Sequence, residues 1–106
     1  MMELKEIGKM LDGVGVEYRY HHFAEEEAVN PPFICWLIPG SNNFAADGKT
    51  FFKVDKLDIE LYTDDKNIEL EEKIEEVLEK YGIFWEKTET WIESEAMYEV
   101  LYEMEV

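Results

Sequence analysis

Three groups of residues in this 106-residue chain have types that can do chemistry. The first is the only histidine pair, His21-His22. Two imidazoles can hold a transition metal or move protons. Neighbouring side chains on a strand point to opposite faces, however, so the two rings are expected not to converge on one ion. The pattern predicts a surface or loop-edge pair. The second is Cys35, which with either histidine and an aspartate would make a nucleophile and its base. Nothing local supports that: no glycine-flanked elbow surrounds the cysteine and no helix start follows it. Cys35 stands inside Phe33-Ile34-Cys35-Trp36-Leu37-Ile38, where a buried, inert thiol is expected. A single cysteine also excludes an intramolecular disulfide. The third group is the carboxylates. Asp55 with Asp58, or Glu93 with Glu95, could attract a divalent cation, but neither spacing has the glycine and ligand rhythm of an EF-type loop. Solvated acids are the expectation. There is no phosphate loop and no dinucleotide fingerprint. The tryptophans Trp36, Trp85 and Trp91 are expected in the core. The residues therefore assign no catalytic group, no metal site and no cofactor, and the protein is expected not to be an enzyme.

Composition narrows the partners. There are 26 acidic and 10 basic residues, a formal charge of −16. Such a field repels nucleic-acid phosphates and anionic membranes, so neither direct DNA binding nor membrane association is expected. The acids are spread as Glu25-Glu26-Glu27, Glu71-Glu72, Glu75-Glu76 and single glutamates near the end, which predicts a solvated outer face. Residues 1–10 are interrupted by Glu3, Lys5 and Glu6, unlike a signal peptide, and no apolar run reaches the roughly 20 residues of a membrane span. These features predict one domain, 1–106, made and used in a reducing cytoplasm.

The elements that must carry these residues follow from periodicity. Leu4, Ile7, Met10 and Leu11 lie on one helical face, and Asp12-Gly13 ends it. Val16, Tyr18 and Tyr20 alternate with Glu17 and Arg19, a strand pattern over 14–22. Pro31-Pro32 forces an extended entry to the apolar run 33–38, read as a buried central strand. Asp47-Gly48 is a two-residue hairpin signal between Phe44-Ala45-Ala46 and 49–54. Phe52 and Val54 share one parity, whereas Leu57, Ile59 and Leu61 take the other. That slip predicts a bulge or bend near Asp55-Lys56. Leu70, Ile74, Val77, Leu78 and Tyr81 mark a second helix, with N-cap candidates in 63–67, intrahelical pairs Glu69–Lys73 and Glu76–Lys80, and a stop at Gly82. Two strands follow, 83–92 and 96–106, the last apolar on one face and mostly acidic on the other. The sum is α+β: a mainly antiparallel sheet with two helices packed on it, in the order α-β-β-(hairpin)-β-α-β-β.

Several of these segments resemble a known family. Asn30-Pro31-Pro32-Phe33-Ile34-Cys35-Trp36-Leu37 is similar to the Pro-Pro-aromatic strand entry of small phage tail proteins. Asn43-Phe44-Ala45-Ala46-Asp47-Gly48, then Ile59-Glu60-Leu61-Tyr62-Thr63-Asp64-Asp65-Lys66, resembles their hairpin and the strand leading to an acidic helix. Residues 71–81 and Ile83-Phe84-Trp85 continue the likeness, which covers about residues 14–106. The family is the minor tail proteins, tail-completion or tail-terminator, of siphophages and prophages of Gram-positive bacteria. The resemblance implies a tail-terminator-like fold and a non-enzymatic virion role. It implies a homo-oligomeric ring, usually a hexamer, at the junction of tail tube and head connector, with the major tail protein and head-connector proteins as partners. It places the protein in the virion tail, assembled in the bacterial host cytoplasm. No residue in such families acts chemically, so the expected interface rests on the hairpin itself: Phe44, Asp47, Gly48, Phe51 and Phe52.

Two other classes of function stay open at this stage. An acidic DNA-mimic inhibitor of a DNA-binding protein would need its carboxylates lined up on one convex face. A small enzyme would need a polar pocket around Cys35 and the histidines.

Overall fold

A computed structural model describes residues 2–24, 29–46 and 48–106, with the backbone alone at 44–46 and 49–52. The fold is α+β, with a mixed six-stranded sheet and two helices. Helix α1 (Leu4–Asp12) leads to β1 (Glu17–Tyr20), β2 (Phe33–Leu37), β3 (Ser41–Ala46) and β4 (Lys49–Thr63). Helix α2 (Ile68–Lys80), β5 (Trp85–Ile92) and β6 (Met97–Glu105) complete it, with a 3₁₀ turn at Glu93–Glu95.

The main sheet runs β1-β2-β4-β6-β5, and β3 pairs with β4 off that path. The β1–β2 pairing is parallel; β2–β4, β3–β4, β4–β6 and β5–β6 are antiparallel. Alternation alone could not reveal the parallel pair, because period-two burial is blind to strand direction.

Both helices lie on one face of the sheet. Ile7, Met10 and Leu11 of α1 and Leu70, Ile74 and Leu78 of α2 pack with Ile34, Trp36, Leu57, Ile59, Leu61, Val100, Tyr102 and Met104. Burying so many aliphatic side chains is the main force that holds the domain, at about 1.5–3 kcal/mol each. Leu4 departs from the expected helical face: it is exposed, one turn ahead of the contact made by Ile7.

Local chemistry sets the ends of α2. Asn67 is the N-cap, its Oδ1 accepting the Leu70 N–H at 3.0 Å. At the other end Gly82 takes φ +71°, Gly82 N–H donates to the Glu79 carbonyl (2.9 Å) and Ile83 N–H to the Leu78 carbonyl (3.0 Å). This is a Schellman closure, which only a residue at ease with positive φ allows. Glu69–Lys73 and Glu76–Lys80 do not close to ion-pair distance among the described residues; the glutamates of this helix that form ion pairs, Glu71 and Glu75, reach lysines outside it.

β4 is the spine of the molecule. Its 15 residues extend about 50 Å at about 3.3 Å each, and the longest dimension of the molecule is 50 Å. β2 and β3 follow one another along the same edge of β4, Phe33–Leu37 opposite 58–62 and Ser41–Ala46 opposite 49–55. β6 covers the other edge only from Asp55, which exchanges both backbone hydrogen bonds with Val106, to Thr63.

The expected irregularity at Asp55-Lys56 is not there. The β4–β6 ladder runs through it in register, and the Lys56 N–H donates to the Gly40 carbonyl at 2.9 Å. The register shift lies in the hairpin, where Phe44 pairs with Phe52 but Ala45 pairs with Thr50, leaving Phe51 as the extra residue. The parity slip has another cause: Val54 shares a face with Lys56 and Asp58, the side away from the helices, because the hairpin arm has run past the core.

Candidate assembly surface and neighbouring sites

The hairpin expected to carry assembly is a two-stranded ribbon. Ala46 pairs with Lys49 around a two-residue loop; Gly48 has φ +75°, which the loop demands and glycine supplies. Phe44 and Phe52 are direct cross-strand partners, Phe51 sits at the register shift, and Asp47 lies outside the described residues. Among the described residues, β3 pairs with β4 alone, and Lys49–Val54 of β4 pair on the β3 side alone. The ribbon thus presents unpaired N–H and C=O groups along both outer edges. A two-stranded hairpin is marginal by itself in water, and open edges are templates for pairing with another chain. At its base Asn42 Nδ2 donates to Glu105 Oε2 (3.1 Å) and Lys53 meets Asp55 at 3.5 Å, tying the ribbon to β6 and to its own strand.

The sheet face away from the helices is uncovered among the described residues. Register places Asp58 opposite Glu103, and Glu103 opposite Glu86, a row of three carboxylates on adjacent strands. Burial raises the Asp58 carboxyl above its usual range, helped by the charge of Glu103 and opposed by Lys56. A groove of about 630 Å³ runs along this row, with Lys56, Glu105 and Phe84 on its walls; Phe84 is 80% exposed. Two residues along β4, Glu60 is raised first by burial and then by Glu99. Tyr62 Oη lies 2.9 Å from Glu99 Oε2, to which it donates, and 3.3 Å from Glu60 Oε1. Burial followed by these acids pushes the Tyr62 hydroxyl up, so it stays protonated. The spacing of residues 58, 86 and 103 carries no helical or strand motif, so their meeting could not be read without the register.

On the helix side the acids are paired. Glu71, 4% exposed, takes Lys66 at 2.6 Å and Lys87 at 3.2 Å. Lys87 also holds Glu75 at 2.6 Å, Lys66 holds Glu89, and Tyr102 Oη donates to Glu75 Oε2 at 2.7 Å. Hydrogen bonding to Glu75 is the main cause raising Lys87, and to Glu71 the main cause raising Lys66, so both stay charged. This network bolts α2 to β5 and β6. In the sequence Glu71 looked like one more solvated glutamate; its position next to the buried Leu70 was the available signal.

Cys35 is buried, 5% exposed, and faces the uncovered side, opposite Glu60. Burial, then the Glu60 charge, pushes its thiol up to about 11. It is therefore a thiol and not a thiolate at neutral pH, a poor nucleophile. It does line a small cavity, about 290 Å³, with His21, His22, Phe33 and Tyr62.

The histidine pair overturns the expectation drawn from strand geometry. β1 ends at Tyr20, and His21 takes φ +66°. That left-handed step brings both rings to one side, with His21 Nδ1 and His22 Nδ1 3.1 Å apart and the rings at 89°. Among the described residues no group of three or more His, Cys, Asp or Glu is arranged to hold a metal. No helix there is long and apolar enough to cross a membrane.

No protein-family model matches the chain, and no curated protein matches it significantly.

Proposed function

We propose that this is a structural assembly protein that self-associates through its β3–β4 hairpin, in the manner of a tail terminator or tail-completion component. One observation carries the reading: β4 continues beyond the core as a ribbon with two open edges. Strand addition at such an edge supplies main-chain hydrogen bonds for affinity, and a head-to-tail contact of hairpin on neighbour closes into a ring. In this reading the ring, a hexamer, sits where the tail tube meets the head connector and contacts the major tail protein and connector proteins. The uncovered acidic face suits a lumen through which DNA passes without sticking. The chain's single thiol, Cys35, is buried and raised, which makes it a poor nucleophile.

Two measurements test it. Light scattering or native mass spectrometry at high protein concentration, and on tail tubes, should show a closed oligomer; replacing 42–53 by a short glycine linker should abolish it. A chain that stays monomeric and never joins tubes or connectors sinks the proposal. Electron microscopy of tails assembled with and without the protein then separates terminator, which leaves tails of uncontrolled length when missing, from a connector component. The DNA-mimic reading is favoured less, because the carboxylates lie on opposite sides of the molecule: Glu69, Glu72, Glu76 and Glu79 on the exposed side of α2, and Asp58, Glu60, Glu86, Glu99 and Glu103 on the far face of the sheet. Competition with DNA for a basic enzyme would revive it.

A further inference from the structure

The histidine pair has a geometry that no part of the assembly reading uses. The backbone around it is fixed at both residues: the His21 N–H donates to the Trp36 carbonyl (2.7 Å) and the His22 N–H to the Tyr20 carbonyl (2.8 Å). The first continues the β1–β2 pairing; the second closes a tight turn that needs the positive φ of His21. The rings are thus delivered together by the fold. Both side chains are exposed, so an ion can reach them.

Two nitrogens that bind one metal ion at about 2.0–2.1 Å, at cis angles between square-planar and tetrahedral, stand about 2.9–3.4 Å apart. The observed 3.1 Å between the two Nδ1 atoms falls within that bite. Glu60, on β4, lies within electrostatic reach of His21. The overall charge of −16 biases the potential toward cations.

We propose that His21 and His22 form a two-imidazole site for a divalent transition-metal ion, taken most tightly as Cu²⁺. Without metal, one Nδ1–H donates to the other Nδ1. With metal, both Nδ1 lone pairs face the ion and both rings carry their proton at Nε2. The ring that held its proton at Nδ1 changes tautomer, and a neutral pair releases no net proton. Imidazole ligands and the general order of divalent affinities place Cu²⁺ above Ni²⁺ and Zn²⁺. Water completes the coordination.

The test uses the intact protein at neutral pH with copper(II) salt alone. These are the chain's only two histidines, so electron paramagnetic resonance showing two equivalent-type imidazole nitrogens on one ion assigns both. Titration should give one site per chain, weakened at least tenfold in His21→Asn and again in His22→Gln. Asparagine tolerates the left-handed backbone at 21, and circular dichroism checks that each variant keeps its fold. With Zn²⁺, nitrogen NMR should move the Nδ1 resonances of both rings together. A spectrum with one imidazole nitrogen or none, or an affinity unchanged by either substitution in a folded variant, overturns the site. The readouts are independent of oligomerisation, so failure of the ring and failure of the site are told apart.

Discussion

The two faces of the sheet are built from the same strands and treat charge in opposite ways. Toward the helices, Glu71, Glu75 and Glu89 meet Lys66, Lys87 and the Tyr102 hydroxyl. Toward the other side, Asp58, Glu103 and Glu86 meet one another, and Glu60 meets Glu99. The first arrangement is what a buried acid needs to be tolerated; unpaired, it would cost several kcal/mol. The second is tolerable only because water reaches it, and it is destabilising even so.

Removing apolar volume should show the contrast most strongly. Ile59→Ala, on the helix side, should cost about 2–5 kcal/mol in urea unfolding because the site is closed and leaves a cavity. Leu101→Ala, half-buried on the far face, should cost about 1 kcal/mol or less on area alone. Equal losses would mean that the far face is covered in solution. Next in size, Glu71→Ala should cost about 1–3 kcal/mol by removing one of the two carboxylates that each lysine holds, toward the lower figure because Lys66 keeps Glu89, Lys87 keeps Glu75 and both lysine heads are about two-fifths exposed. Glu103→Ala should be neutral or stabilising. A matching loss in Glu103→Ala would erase the distinction between the faces.

The smallest expected effect is in pH. The Asp58 and Glu60 carboxyls titrate higher in the folded chain than unfolded. The folded state therefore binds these protons more readily, so their contribution to stability is greatest below the ordinary carboxylate range and is lost as pH rises through the raised values. Asp58→Asn should then stabilise the protein by a few tenths to about 1 kcal/mol near neutral pH, the scale of a like-charge cross-strand pair. The advantage over the parent chain should shrink as pH falls through the raised range of the Asp58 carboxyl, where the acid protonates itself. Paired thermal melts across that range measure it; a gap that does not change with pH would remove carboxylate repulsion as its source.

Much of the fold was legible because its signals are local. Asn67, Gly82 and the Leu70–Ile74–Leu78 spacing define α2 without help from the rest of the chain, and Asp47-Gly48 marks the hairpin. Parity placed Leu57, Ile59 and Leu61 on one side correctly. What escaped was set by register and by single backbone angles. The row Asp58–Glu103–Glu86 joins residues far apart in sequence. The parallel β1–β2 pair depends on the path of the chain between them. The histidines were read as a surface or loop-edge pair with diverging rings; they are exposed just beyond β1, but one left-handed residue turns the chain and brings the rings together. The parity slip was a real signal given the wrong cause: a strand that outruns its core changes its apolar side without any bulge. Of the expected interface residues, the backbone shows the pairing of Phe44 with Phe52 and the position of Phe51, while the chemistry of their rings could not be judged from spacing.

A spine shared by hairpin and core also has a mechanical meaning. Tension applied at the Gly48 end, along β4, passes straight into the ladders with β2 and β6, which run parallel to the pull. Hydrogen bonds loaded that way bear force side by side and yield together, whereas a pull across the strands would open them one at a time. Single-molecule extension from residue 48 against residue 97, where β6 begins at the far end of β4, should therefore require a higher rupture force than extension that peels β5 from its edge. The hairpin would then be a handle through which a neighbour can hold the whole sheet, rather than a flap that tears away first.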